Sequence, residues 1–280
     1  MSRADDIRHP GPRGAVRQHV VPGVARRITL RLPAGRILMD AVAEAMDRLG
    51  CHSAMLVLDG LVLGPHNYVM PLAGSPDGKR VAWYSETHTG TAAILEHAVA
   101  SVGRRKGEWF LHCHAVWDSA DGQRAGHLLP GEVTIGADSD VTCFAFEGGQ
   151  FDVVDDAETG FSIFRALPLG SPPGAPNAAI ATLAPFEDLV GTMPGLAARA
   201  IGRLDAQFYG LGSLIGADFE DGAPSMESRF SEVLTLPGAR TDRIPVHCVD
   251  PAGGMFRGTL LPGAAPTLIT FELMVVSPDL

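Results

Sequence analysis

Three histidines lie close together in residues 109–131, a stretch that we predict forms one β-hairpin. His112 and His114 are two residues apart, so on a strand both side chains leave the same face. Residues 118–122 have the composition of a turn, and the chain then returns through His127 on the neighbouring strand. Three imidazoles converging from one rigid hairpin suit zinc or a similar divalent ion, and three protein ligands leave one coordination position open. We therefore predict a metal site at these three residues.

An open position on such an ion allows it to polarise a carbonyl group or a water molecule, and that chemistry needs a nearby proton acceptor. Glu96 lies on the predicted strand that precedes the hairpin, so it is the candidate catalytic residue. The alternative is that Glu96 only holds a metal ligand in place or lies exposed. His66, Tyr68 and His88 lie on predicted loops, where binding residues are often found, and we predict that they contact a substrate.

The elements that position these residues are predicted to form an α+β fold. Residues 27–32 alternate polar and apolar side chains, which is typical of a half-buried strand. A helix follows, with Asp40 as a suitable N-cap and Gly50 as a suitable C-terminal residue. The strands after it are mostly antiparallel, so residues 24–165 are predicted to form a sheet with one helix packed on it.

The C-terminal half of the chain repeats this pattern after a Pro- and Gly-rich segment. We interpret residues 166–176 as a linker between two units, and residues 177–280 as the second unit, with a helix capped by Thr192. Residues 231–238 resemble residues 95–103. The chain therefore looks like a tandem duplication of one α+β unit.

The closest internal similarity lies at the hairpin, where GHLLPG at residues 126–131 recurs as GTLLPG at 258–263. His247 matches His112 because each follows a matching glycine by the same number of residues, while Val249 and Thr259 replace the other two histidines. The second copy keeps the glycines but lacks two of the imidazoles, so these imidazoles are not needed for the hairpin to fold. We therefore assign the metal to residues 24–165 and predict a second unit without metal ligands.

Composition limits the class of protein. The formal net charge is −10, whereas nucleic-acid binders usually carry a basic face. No apolar run reaches the roughly 18 residues of a membrane span, and the first residues have no signal-peptide core, so we expect a cytoplasmic protein. Residues 1–23 are rich in Pro, Gly and Arg without apolar periodicity, and we predict a flexible N-terminal arm.

Residues 24–150 resemble the PPC (plant and prokaryote conserved) domain. The similarity lies in the Arg-Ile-Thr-Leu-Arg-Leu opening, in Glu96, in His112-x-His114 and in Gly126-His127, where Ala125 replaces the first glycine of the family's Gly-Gly-His triplet. The second unit resembles the same domain in degraded form. The resemblance implies an α+β fold with a strongly bent antiparallel sheet, homo-oligomers that are trimers, and a metal bound by the three hairpin histidines. In plants this domain accompanies AT-hooks in DNA-binding proteins, and no AT-hook core occurs here.

Three functions remain open from the sequence. The first is a metal-dependent enzyme that acts on a small oxygenated or carboxylated molecule by hydrolysis, lyase or isomerase chemistry. The second is a DNA-associated or regulatory protein with a structural metal, and the third is a metal-bearing oligomeric scaffold without chemistry. The acidic charge favours the first function over the second.

Overall fold

The protein is described by a computed structural model that covers residues 3–220 and 222–280. These residues form two helices, α1 (Leu38–Leu49) and α2 (Leu189–Ile201). The strands are β1 (Gln18–Leu32), β2 (Ser53–Val57), β3 (Val62–Val69), β4 (Pro71–Ala73), β5 (Ala82–Tyr84), β6 (His88–Gly90), β7 (Ala93–Arg105), β8 (Glu108–Ser119), β9 (Gly122–Ile135), β10 (Ser139–Glu147), β11 (Gly149–Asp155), β12 (Ser162–Pro168), β13 (Ala178–Leu183), β14 (Gln207–Leu214), β15 (Glu232–Thr235), β16 (Pro245–Val249), β17 (Met255–Thr259) and β18 (Thr267–Val276).

A large antiparallel sheet dominates the fold, so the predicted α+β class is confirmed with more sheet than helix. Its main path runs β17-β16-β15-β14-β18-β13-β1-β10-β2-β7-β8-β9-β3-β6. The hairpin of β11 and β12 branches from β7, and β4 pairs with β5 in a separate two-stranded sheet. Strands from the N-terminal half of the chain therefore occupy one end of the path, and strands from the C-terminal half occupy the other.

The long strand β1 joins the two halves of the sheet. Its residues 18–23 pair with β13, and its residues 24–32 pair with β10. We predicted a flexible arm up to residue 23, but residues 18–23 form backbone hydrogen bonds in the sheet. The predicted linker also begins inside a strand, because β12 extends to Pro168 and pairs with β11.

Both helices begin earlier than the sequence predicted. Helix α1 starts at Leu38 after Ile37, not at the expected cap Asp40, and ends at Gly50, whose φ of 63° is the left-handed conformation that glycine adopts easily. Helix α2 starts after Asp188, whose carboxylate accepts a hydrogen bond from the Gly191 N–H. Thr192 therefore lies inside the helix, and a short acidic side chain takes the capping role.

The strand alternation of β8 divides its side chains between two cores. Cys113 and Trp117 belong to the core between the N-terminal half of the sheet and α1. Val116 faces the other way, into a core that also contains Leu211 and Leu234 from the C-terminal half of the chain. The sheet therefore bends so that its two halves pack face to face, and His112 and His114 lie on the face of β8 that is turned toward the C-terminal half.

The second hairpin pairs in a different register from the first. His114 pairs with His127, whereas Val249 pairs with Met255 and Thr259 pairs with Pro245. The sequence similarity suggested that Thr259 takes the position of His127. The strand register shows that it does not. The cause lies in the turn, where the Asp250 carboxylate accepts hydrogen bonds from the N–H groups of residues 252 and 254 and closes the hairpin early.

Residues 3–220 and 222–280 contain two helices, α1 and α2. Neither helix is long and apolar enough to cross a membrane.

Candidate metal centre

The first hairpin brings the three predicted ligands together. His114 and His127 form a directly opposed pair between β8 and β9, and His112 lies on the same face two residues before His114. Their ring centroids are 4.6 to 5.2 Å apart. One nitrogen from each imidazole lies within 4.8 Å of the others.

Gly126 lets a neighbouring strand hold His127 in this arrangement. A Cβ atom at Gly126 would lie 2.9 Å from the carbonyl oxygen of Val69, which is closer than side-chain carbons are found. Because glycine leaves this space free, β3 packs against β9 and Val69 pairs with His127. Gly126 and His127 therefore act together, because the glycine leaves room for β3 and β3 positions the histidine.

The Nδ1 atoms of His112 and His114 are occupied by acceptors from the C-terminal half of the chain. His112 Nδ1 lies 2.8 Å from Glu272 Oε1, and His114 Nδ1 lies 2.9 Å from the carbonyl oxygen of Val233. A ring nitrogen that faces an acceptor carries the hydrogen, so each Nδ1 donates to its acceptor, and the Nε2 of each ring faces the other ring. These two Nε2 atoms are 2.9 Å apart. Two lone pairs at this distance repel unless a proton or a metal ion lies beside them.

A carboxylate from the C-terminal half of the chain also reaches the three histidines. Glu232 Oε2 lies 2.6 Å from His114 Nε2, and both side chains are almost fully buried. Burial by itself would raise the pKa of Glu232, but the charge of His114 and the hydrogen bond between them hold that pKa below its usual value. Burial would likewise lower the pKa of His114, and the Glu232 carboxylate raises it. His114 is therefore protonated beside the Glu232 carboxylate, and a metal ion bound at its Nε2 would displace that proton.

The remaining protonation states also fit a metal ion. Burial and the charge of His114 lower the pKa of His112 to about 3, and burial lowers the pKa of His127 well below its usual value. Both rings are therefore neutral, as metal-binding imidazoles must be. The Nδ1 atom of His127 is buried and has no hydrogen-bond partner. Buried polar atoms are nearly always paired, so a nitrogen of His127 without a partner suits a metal ligand.

A cavity of about 270 Å³ opens beside the three histidines. Its polar lining includes Glu232 and Glu272 from the C-terminal half of the chain, and Tyr84 from β5, whose ring centroid lies 5.1 Å from that of His127. Much of the remaining lining is aromatic or aliphatic, and Arg105 also belongs to it. Residues from both halves of the chain therefore line this one chamber beside the histidines.

Glu96, the predicted catalytic residue, does not line this chamber. Its carboxylate accepts hydrogen bonds from Gln123 and from Arg257, at 2.5 and 3.0 Å. Glu232 on β15 has the contact with the histidines that was predicted for Glu96. The sequence contained a signal for this residue, because the internal repeat aligns Ser231-Glu232 with Leu95-Glu96.

The three predicted substrate residues lie apart from the chamber. Tyr68 stacks on His88 with centroids 5.2 Å apart, and the rings of Tyr68 and His66 pack edge-on against Trp117. Trp117 belongs to the core on the α1 side of the sheet, whereas His114 faces the opposite side. The structure therefore does not bring His66, Tyr68 or His88 together with the metal ligands.

Sequence reasoning missed Glu272 and Tyr84 altogether. Glu272 lies in the apolar strand β18 and is 1% exposed. A glutamate inside an otherwise apolar strand could have indicated a functional residue, because carboxylates are rarely buried unless they are paired. Tyr84 lies on the short strand β5, and nothing in the sequence places that strand over the histidines.

No protein-family model and no curated protein matches the chain. Similar solved structures include a metal-containing protein from Archaeoglobus fulgidus, with 17% identity and a TM-score of 0.40 over 51% of this chain and 95% of that one. A PPC protein from Pyrococcus horikoshii has 18% identity and a TM-score of 0.39 over 53% and 99%. A Ralstonia eutropha protein named "putative DNA-binding protein" has 14% identity and a TM-score of 0.36 over 49% and 88%. The structures similar to this chain therefore include a member of the family that the sequence resembles.

Proposed function

We propose that the chain binds a divalent, zinc-like metal ion through His112, His114 and His127, and that the ion acts on a small oxygenated or carboxylated molecule in the adjoining cavity. The reaction classes that suit this site are hydrolysis, lyase and isomerase chemistry. The observation that carries the proposal is the convergence of the three rings: His112 Nε2 and His114 Nε2 lie 2.9 Å apart, and one nitrogen of each ring lies within 4.8 Å of the others.

The residues around the ligands have separate tasks in this proposal. Glu272 and the Val233 carbonyl fix the orientation of His112 and His114, as acceptors behind metal-binding imidazoles usually do. Glu232 is the candidate proton acceptor, because its carboxylate is held ionised at the ligands and lines the cavity. When bound, an ion of this type supplies Lewis acidity toward a carbonyl or water oxygen. The cavity walls limit access of bulk water to the reacting group.

The C-terminal half of the chain acts as a wall of the site in this proposal, as the second of two PPC-like units. The order β1-β10-β2-β7-β8-β9 in the N-terminal half has a counterpart in the order β13-β18-β14-β15-β16-β17 in the C-terminal half. A single helix follows the first strand in both halves. This correspondence supports a duplication with units at residues 24–165 and 177–280, in which the second lost its ligands and kept the surface that closes the first.

Metal analysis of the purified protein tests the proposal. After dialysis against zinc and gel filtration, wild-type protein should retain about one ion per chain, the stoichiometry of one three-histidine site. His127→Ala should lose most of this metal, while His88→Ala, which removes a histidine on the opposite face of the sheet, should retain it. Thermal melting of both variants shows whether they remain folded. Wild-type protein without retained zinc, or a folded His127→Ala variant with full zinc content, contradicts the proposal.

A further inference from the structure

We propose that the cavity selects an apolar carboxylic acid, whose carboxylate pairs with Arg105 while another oxygen of the molecule faces the metal centre. This inference rests on the proposed function, and it assigns the substrate class and a residue that determines specificity.

Strand geometry places Arg105 and the metal ligands along one face of the hairpin. Arg105 pairs with Glu108, so both side chains lie on the face of β8 that also carries Phe110, His112 and His114. From Glu108 to His112 the strand advances by four residues, about 13 Å. A side chain as long as that of arginine shortens this gap, so a single small molecule can contact both sites.

The surface between these two points is aromatic. Phe110 lies midway on β8 and packs edge-on against Phe164, with ring centroids 5.7 Å apart. Phe161, Trp83 and Phe230 also line the cavity. Its volume of about 270 Å³ lies just below the usual range of ligand pockets, roughly 300 to 1,000 Å³. These walls suit a molecule with a single flat apolar body.

The guanidinium of Arg105 is available for an anion. Within the described residues of the chain, no acidic side chain forms an ion pair with Arg105, whereas Arg31, Arg36 and Arg203 all pair with carboxylates. Arg105 instead lies over the Phe110 ring, 5.2 Å from its centroid, and belongs to the cavity lining. Its charge is thus positioned on the ligand side of the sheet without a counter-ion from the protein.

A single arginine indicates a carboxylate better than a phosphate. The planar guanidinium matches a carboxylate with two parallel hydrogen bonds. Phosphate sites usually add the N-terminus of a helix or a glycine-rich loop, and neither α1 nor α2 contributes a residue to this cavity.

Binding of two probe molecules tests this inference. Phenylacetate and its neutral analogue phenylacetamide are titrated into zinc-loaded protein by calorimetry, with Arg105→Gln as the variant. Arg104→Gln is the matched control, because Arg104 is the neighbouring residue and stacks on Trp109 at 3.4 Å, outside the cavity. Phenylacetate should bind wild type and Arg104→Gln more tightly than phenylacetamide does. Arg105→Gln should weaken phenylacetate binding by about 10- to 100-fold, the worth of a charge-assisted hydrogen bond, and should leave phenylacetamide binding unchanged.

Several outcomes would overturn the inference: no phenylacetate binding, equal binding of the two probes, or equal effects of the two arginine variants. Zinc content is measured in the same samples. Normal zinc content with no preference for phenylacetate refutes the substrate class and leaves the metal proposal intact. Absence of zinc from every sample refutes the proposed function itself.

Discussion

Glu232 and His114 come from opposite halves of the chain, and their side-chain atoms Oε2 and Nε2 lie 2.6 Å apart in the buried centre of the molecule. The contact joins a strand of the C-terminal half to the hairpin of the N-terminal half. Glu96 makes a contact in the other direction, to Arg257 on the second hairpin. One carboxylate thus reaches a group of histidines, and the other reaches an arginine on the surface.

This relationship predicts different results for two matched variants. Glu232→Gln removes a negative charge next to the proposed cation, so zinc affinity should fall by about 10- to 100-fold, as for other residues that support metal ligands. Glu96→Gln removes the same charge outside the cavity and should leave zinc affinity close to that of wild type. Competition with a chromogenic zinc chelator measures both. Equal losses in the two variants would show that Glu232 has no special role.

Glu272 should act through the orientation of His112. Glu272→Met removes the acceptor behind Nδ1 at nearly constant size and should weaken zinc binding by about 10- to 100-fold. Glu272→Gln keeps an oxygen that accepts the same hydrogen bond, so zinc affinity should fall less in this variant than in Glu272→Met. The same chelator competition measures both variants, with circular dichroism to establish folding. A Gln variant as weak as the Met variant would mean that the hydrogen bond to His112 Nδ1 is not what Glu272 contributes.

Buried His247 should make the protein sensitive to acid. Burial and the charges of Arg257 and His97 lower the pKa of His247 to about 4, and its Nδ1 has no hydrogen-bond partner. Between pH 6.5 and 4 the unfolded chain binds a proton there that the folded chain does not, so stability falls as the pH falls. The full effect is on the order of 3 kcal/mol, from a shift of roughly 2.5 pKa units.

Urea unfolding at several pH values checks this prediction. His247→Gln should reduce the loss of stability between pH 6.5 and 4, to which buried His112 and His127 also contribute, and His88→Gln is the matched control at a half-buried site. A His247→Gln variant with the full wild-type slope would show that other groups cause the acid sensitivity.

The protein should not bind duplex DNA at physiological salt. The net charge is −10, and many arginines are already paired, such as Arg17 with Glu158 and Arg229 with Asp6. The net negative charge of the protein repels the phosphates and opposes the release of their counter-ions. A gel-shift titration over a range of salt concentrations provides the measurement. A shift that weakens steeply with salt would instead support the DNA-associated alternative.

The sequence determined the features of the molecule that depend on neighbours along the chain. Alternation on a strand put His112 and His114 on one face, the turn composition put His127 on the neighbouring strand, and Gly50 ended the first helix. These features follow from backbone geometry within one or two adjacent elements, so periodicity and turn residues were enough to predict them.

The tertiary structure decided which carboxylates and which aromatic rings meet those histidines. Glu96 was the reasonable choice from chain proximity, but the bend of the sheet places Glu232 and Glu272 there instead. The register of the second hairpin also escaped prediction, because the Asp250 turn fixes it and the repeated glycine does not. Contacts between distant strands depend on how two faces pack, and a single sequence records that packing only in the general pattern of apolar residues.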